Sequence, residues 1–102
     1  MPIYMKIIPS KTKTKKYTAL FSKEIDGKRK VIKMTSFGQK GADDYTITKD
    51  KAQRKRYIDR HRKNENWNDY MSAGSLSRYL LWGAYSDIDK NISAFKRRFN
   101  LK

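Results

Sequence analysis

The densest chemistry in this sequence lies between Lys49 and Lys63, which reads Lys-Asp-Lys-Ala-Gln-Arg-Lys-Arg-Tyr-Ile-Asp-Arg-His-Arg-Lys. No Gly or Pro interrupts it, and most of its residues favour helix. At roughly 100° per residue, Lys51, Lys55, Arg56, Arg60, Arg62 and Lys63 spread over about half the circumference. Tyr57, Ile58 and His61 fall together on the other side, where they would seat the helix. Fifteen residues make a helix about 22 Å long, enough for a major groove or a run of phosphates. Arg54 adds a further cation. The same residue types suit a nuclear-import signal or a solvated helix face.

Three other constellations carry weaker signals. Gly38-Gln39-Lys40-Gly41 has the Gly-x-x-Gly form that lets a backbone approach a phosphate, with Lys40 beside it. It follows a strand pattern, so a plain turn serves equally well. Asp43, Asp44, His61 and Glu65 are the residues a metal-dependent nuclease would use, but no second His completes such a site, and Asp59 is better placed to pair with Lys51, Lys55 or Lys63. Trp67 lies among Asn residues beside the basic helix and is the better candidate for stacking on unpaired bases, though packing in the fold suits it equally well. Trp82, in Leu80-Leu81-Trp82, reads as core.

These residues need elements to hold them. Ile3–Ile8 reads as a short strand ended by Pro9-Ser10. Residues 10–16, with Lys11, Lys13, Lys15 and Lys16, read as a mobile basic loop or the exposed start of the next strand. Tyr17–Phe21 and Val31–Phe37 are rich in β-formers and flank Asp26-Gly27, which predicts an antiparallel hairpin. Thr48 is the expected N-cap of the basic helix, with Asp50 in its first turn. Ser72 caps a second helix, which Gly83 ends. Ser86 opens a third, with Asp89 in a capping-box-like position and Ile88, Ile92, Phe95 and Phe99 as a core stripe. The order β-β-β-α-α-α predicts an α+β fold, a small antiparallel three-stranded sheet packed against about three helices.

The whole chain has 102 residues, one domain's worth, and no internal repeat. Lys and Arg number 25 against 10 acids, a formal net charge of +15. Self-repulsion of that size favours an anionic partner surface. Residues 1–40 carry eleven Lys or Arg against Glu24 and Asp26, whereas 64–95 are mildly acidic. Aromatic residues make up 13%, too many for a disordered basic tail. Cysteine is absent and His61 is the one histidine, so neither a metal site nor a cofactor is expected. No apolar run approaches the roughly 20 residues of a membrane span, and no helix pairs a broad apolar face with the basic one. The N-terminus does not read as a signal peptide, which predicts an intracellular protein.

From about Lys16 to Phe99 the chain resembles a family of small basic proteins of giant DNA viruses, marseilleviruses and relatives among them. Lys16-Tyr17-Thr18-Ala19, Phe37–Thr46, Arg54–Ile58, Arg60–Trp67 and Ser77–Gly83 carry the resemblance. Relatives often have Pro shortly after that Trp, where this chain has Asp69-Tyr70. The resemblance implies a place in the virion or the virus factory, in host cytoplasm or nucleus. It implies no activity and no catalytic residues.

The expectation is a non-enzymatic nucleic-acid-binding protein, with double-stranded DNA favoured over RNA and little sequence preference. Lys51, Lys55, Arg56, Arg60, Arg62 and Lys63 form the main footprint. Lys11, Lys13, Lys15, Lys16 and Lys40 extend it, and Arg97 and Arg98 form a second patch. The alternatives are a module that docks on acidic host or capsid proteins and, third, the nuclease. Oligomeric state is left open, a homodimer included.

Overall fold

A computed structural model describes residues 2–102. Three strands, β1 (Tyr4–Pro9), β2 (Lys15–Ile25) and β3 (Lys28–Gln39), form one antiparallel sheet in the order β1-β2-β3. Four α-helices follow: α1 (Tyr45–Thr48), α2 (Lys51–His61), α3 (Ala73–Leu76) and α4 (Ile88–Arg98). A π-helical turn (Ser77–Leu81) continues α3. The α+β expectation holds, with one more short helix than the sequence predicts.

The hairpin turns on Asp26-Gly27. Both residues have positive φ, 53° and 78°, as a two-residue turn matched to strand twist requires. Ile25 therefore pairs with Lys28, and the register runs back to Tyr17 opposite Phe37. It places Met5, Ala19, Phe21 and Phe37 on one face, buried beneath the helices. Leu76, Leu80 and Phe95 complete that core. Phe21 pairs with Lys33 but Ser22 with Val31, so Ile32 is an extra residue, a bulge. Beyond it the strands extend as a narrow arm that begins at Val31, 54% exposed, whereas Met34, 64% exposed, lies on the sheet side of the bulge opposite Leu20.

Both later strands are longer than their β-forming runs. Lys15 and Lys16 belong to β2, not to the preceding loop, because Lys15 pairs with Gln39 and the Lys16 carbonyl accepts from Ser10 N. The caps also differ from expectation. Thr48 ends α1 rather than capping α2. Lys49, with φ 56°, breaks the chain between them, and the Asp50 carboxylate accepts from Ala52 N and Gln53 N. At α4, Asp87 rather than Ser86 is the cap and accepts from Asp89 N and Lys90 N. A carboxylate in each case lies closer to the orphan N–H groups, by two residues at α2 and by one at α4. Ser72 caps α3 as expected.

Two glycines are required by close approach. At Gly38, φ is +77° and a Cβ would lie 2.8 Å from Leu81 Cδ1. At Gly83 a Cβ would lie 2.3 Å from the Tyr79 carbonyl oxygen. The chain there passes against Asn91, whose buried amide donates to Leu80 O and Tyr85 O and accepts from Tyr85 N. This contact fastens α4 to the π-helical turn.

Candidate nucleic-acid interface

The basic helix is seated as its periodicity predicts. Tyr57 and Ile58 are buried, and the Tyr57 ring is stacked between His61 at 4.2 Å and Trp82 at 4.4 Å. Lys51, Lys55, Arg56 and Arg60 project into solvent, and exposed Arg62 and Lys63 follow. Regular α-helix stops at His61, so α2 spans about 16 Å rather than 22 Å. Lys55 is held by Asp59 at 2.7 Å, an exposed i,i+4 pair. The Lys55 hydrogen bond keeps the Asp59 carboxyl below its ordinary range.

Burial, reinforced by Glu65, pushes the Tyr57 phenol up to about 12. Below pH ~10 the phenol is protonated whether the chain is folded or not. Above it the unfolded chain ionises while the folded one does not, so stability is lost as pH rises towards 12. Urea midpoints measured at pH 9 and pH 11 should fall further for wild type than for Tyr57→Phe. An equal fall in both would refute a buried, protonated Tyr57.

A second cluster adjoins α2. Lys11, Lys13, Lys15 and Lys40 are exposed at one end of the sheet, drawn together by the Lys40 N to Thr14 O bond of 2.8 Å and the Lys15–Gln39 pairing. From Lys40 the chain reaches Asp43, which borders a depression shared with Gln53, Arg56 and Arg60. Gly38 and Gly41 serve the turn, both at positive φ.

Three predicted contacts must be reassigned. Lys16 does not belong to the footprint. Its ammonium is mostly buried and donates to Asp44 Oδ2 and Ala42 O, each at 2.5 Å. Trp67 is half-buried, packed on the core, with its Nε1 donating to Glu65 Oε2 and Arg78 over its ring, so no open face is left for a base. Arg54 turns inward, its Nε donating to Trp82 O and Gly83 O. The Arg97–Arg98 patch is divided. Arg97 borders a depression with Tyr85, Asp89 and Lys90, whereas Arg98 joins Arg54 in another.

The proposed nuclease residues do not converge. Asp44 is buried and occupied by Lys16, Thr46 N and Thr46 Oγ1. Asp43 is exposed, and Glu65 is divided between His61 and Trp67. Among the described residues, no group of three His, Asp or Glu could hold a metal ion.

Sequence reasoning missed two sets of cations. One is the arm, where exposed Lys28, Arg29, Lys30 and Lys33 surround the turn. Their clustering is visible in the sequence but was absorbed into a strand. The other is Arg78, hidden in the near-neutral stretch and joined to Arg54 and Arg98 only by folding.

No curated protein and no solved structure matches the chain. One family model does match, over residues 5–61, from β1 to the end of α2. The matched segment holds the whole sheet, the Lys16–Asp44 contact and the basic helix, more than half of the sequence, and the chain belongs to that family of unknown function, DUF5754.

Proposed function

We propose that this protein binds nucleic acid, double-stranded DNA in preference to RNA, through phosphate contacts and without catalysis. The observation that carries the reading is the excess of uncommitted cations. Among the described residues only Lys16 and Lys55 are in ion pairs with carboxylates, and no Arg is. Lys51, Arg56, Arg60, Arg62 and Lys63 stand exposed on and just beyond one rigid helix, next to the Lys11–Lys15 and Lys40 cluster. Phosphates along a duplex supply the charge that these side chains lack. Nothing in the arrangement directs an amide or carboxylate side chain at base edges, so little sequence preference follows. The resemblance to giant-virus proteins supports a place in the particle or the infection factory, where a large genome must be compacted.

A fluorescence-anisotropy titration with a labelled 30-base-pair duplex, repeated from about 50 to 300 mM salt, tests the reading. The five uncommitted cations of α2 and its C-terminal extension predict log K falling with log salt at a slope of about −4.5 or steeper. Single-stranded RNA competing better than duplex would move the assignment to RNA. No binding at the lowest salt would remove it.

One observation favours a second reading, an acidic protein partner. The edge strand β3 combines exposed Val31, Ile32 and Met34 with Lys28, Arg29, Lys30 and Lys33. Apolar anchors beside cations suit an acidic protein surface. On that reading Val31→Ser/Met34→Ser would weaken binding to an acidic protein and leave duplex binding unchanged.

A further inference from the structure

The π-helical turn and α4 border a recess of about 260 Å³, partly open to solvent, whose charged side chains are all arginines: Arg54 from α2, Arg78 from the turn and Arg98 from α4. Its other walls include Tyr79, Ala94 and Phe95, and no carboxylate lines it. We infer that this recess is a binding site for a phosphomonoester, the terminal phosphate of a nucleotide or of a nucleic-acid strand.

The geometry forces the cations together. The chain leaves the helix at Trp82, whose carbonyl oxygen is turned out of the backbone ladder. Arg78 Nη1 donates to it at 2.9 Å and Arg54 Nε at 3.2 Å. Two guanidinium groups thus meet on a single oxygen. Arg98 packs on the same aromatic ring as Arg78, its Cζ 4.6 Å from the centre of Tyr79 and Arg78 Cζ 5.0 Å from it. Among the described residues neither Nη atom of Arg54 and no nitrogen of Arg98 hydrogen-bonds within the chain. Arg78 Nε is buried with no partner at all. Burial and the neighbouring Arg54 both act against the Arg78 charge.

Like charges gathered without a counter-ion are costly, and an entering dianion reverses the sign of that cost. Planar guanidinium forks match the oxygens of a phosphate. The π-helical turn fits the same role, because such turns are concentrated at functional sites. Its size bears on the kind of phosphate. A recess of about 260 Å³ between the π-helical turn and α4 matches a terminal phosphate on one ester linkage better than a continuous duplex backbone. The site does not rest on duplex binding by α2, and each can fail without the other.

Isothermal titration of the full chain at fixed ionic strength tests it, with adenosine 5′-monophosphate, adenosine and inorganic phosphate as probes. A short single strand bearing either a 5′-phosphate or a 5′-hydroxyl extends the comparison. Saturable 1:1 binding of the monophosphate, with none of adenosine, is expected. Arg98→Gln, an exposed position on the last turn of α4, should keep its circular dichroism and melting temperature and weaken that binding at least tenfold. Lys6→Gln, at an exposed cation of β1 outside both sites, should leave it unchanged. Preference for the 5′-phosphorylated strand would identify a strand end as the source, and binding of the mononucleotide alone a free nucleotide. Equal binding of phosphorylated and hydroxyl probes would overturn the inference. So would phosphate binding that survives undiminished in folded Arg98→Gln.

Discussion

Changing Arg56, Arg60 and Arg62 together to Gln is expected to flatten the salt dependence of duplex binding by about 2.7 in slope, three contacts at roughly 0.9 each. Reversing the same three charges with Glu should abolish retention on DNA at physiological salt. All three side chains are exposed, and none of them makes an ion pair or hydrogen bond among the described residues. The buried seat of α2, Tyr57 and Ile58 with the Trp82 stack, is untouched, so the circular dichroism spectrum should not change. The effect is large because these residues lie on one helix and its extension, at fixed mutual distances. Docking one on a phosphate places the others near phosphates at little further entropic cost. Normal duplex retention by the folded Glu variant would refute the proposed interface. Lys16→Met offers a contrast, since an ammonium already held by Asp44 releases no counterion and the slope should not move.

The largest effect on stability is expected at Asp44. Its carboxylate is 2% exposed and accepts from Thr46 N at 2.8 Å, from Thr46 Oγ1, and from Lys16 Nζ at 2.5 Å. Asp44→Ala removes the N-cap of α1 and strands the Lys16 ammonium, itself only 14% exposed, with the Ala42 carbonyl as its remaining partner. Breaking a buried pair from one side costs about 3–5 kcal/mol, and losing a cap about 1 kcal/mol more when uncompensated. A domain of this size has a total stability of about 5–15 kcal/mol. Chemical denaturation of Asp44→Ala should therefore show a third or more of the stability gone. The double variant Lys16→Met/Asp44→Ala should recover part of it, because no unpaired charge is left buried. A loss below about 1 kcal/mol in the single variant would show that water reaches the pair and that it does not hold the β3–α1 connection.

The contact lies within the segment shared with the family, between the sheet and the basic helix. It sets where the chain turns from β3 towards α2, and so how Asp43 is placed beside Arg56 and Arg60. Stability at Asp44 and binding at α2 are connected through this one turn.

Much of this was legible in the sequence because local physics fixes it. Asp26-Gly27 specifies a positive-φ turn, and the alternation on either side sets the hairpin register. An uninterrupted run of helix formers specifies α2, and its 3.6-residue period divides Tyr57 and Ile58 from Lys51, Lys55, Arg56 and Arg60. The stripe of Ile88, Ile92, Phe95 and Phe99 specifies a buried face of α4. Net charge is a sum over residue types and needs no fold. Tertiary structure alone decided which cations are free. Lys16 sits in a Lys-Thr alternation that reads as solvated, yet 28 positions later Asp44 comes to meet it. Trp67 reads as exposed among Asn residues, but Glu65 and Arg78 enclose it. Arg54, Arg78 and Arg98 lie far apart in sequence, with nothing local to relate them. They share a recess because Gly83 lets the chain pass against Asn91 and brings α4 onto the π-helical turn. Composition and short-range periodicity fix how much charge there is and which segments carry it; only long-range packing, which has no signature in sequence spacing, determines where that charge is neutralised and where it is left waiting for a partner.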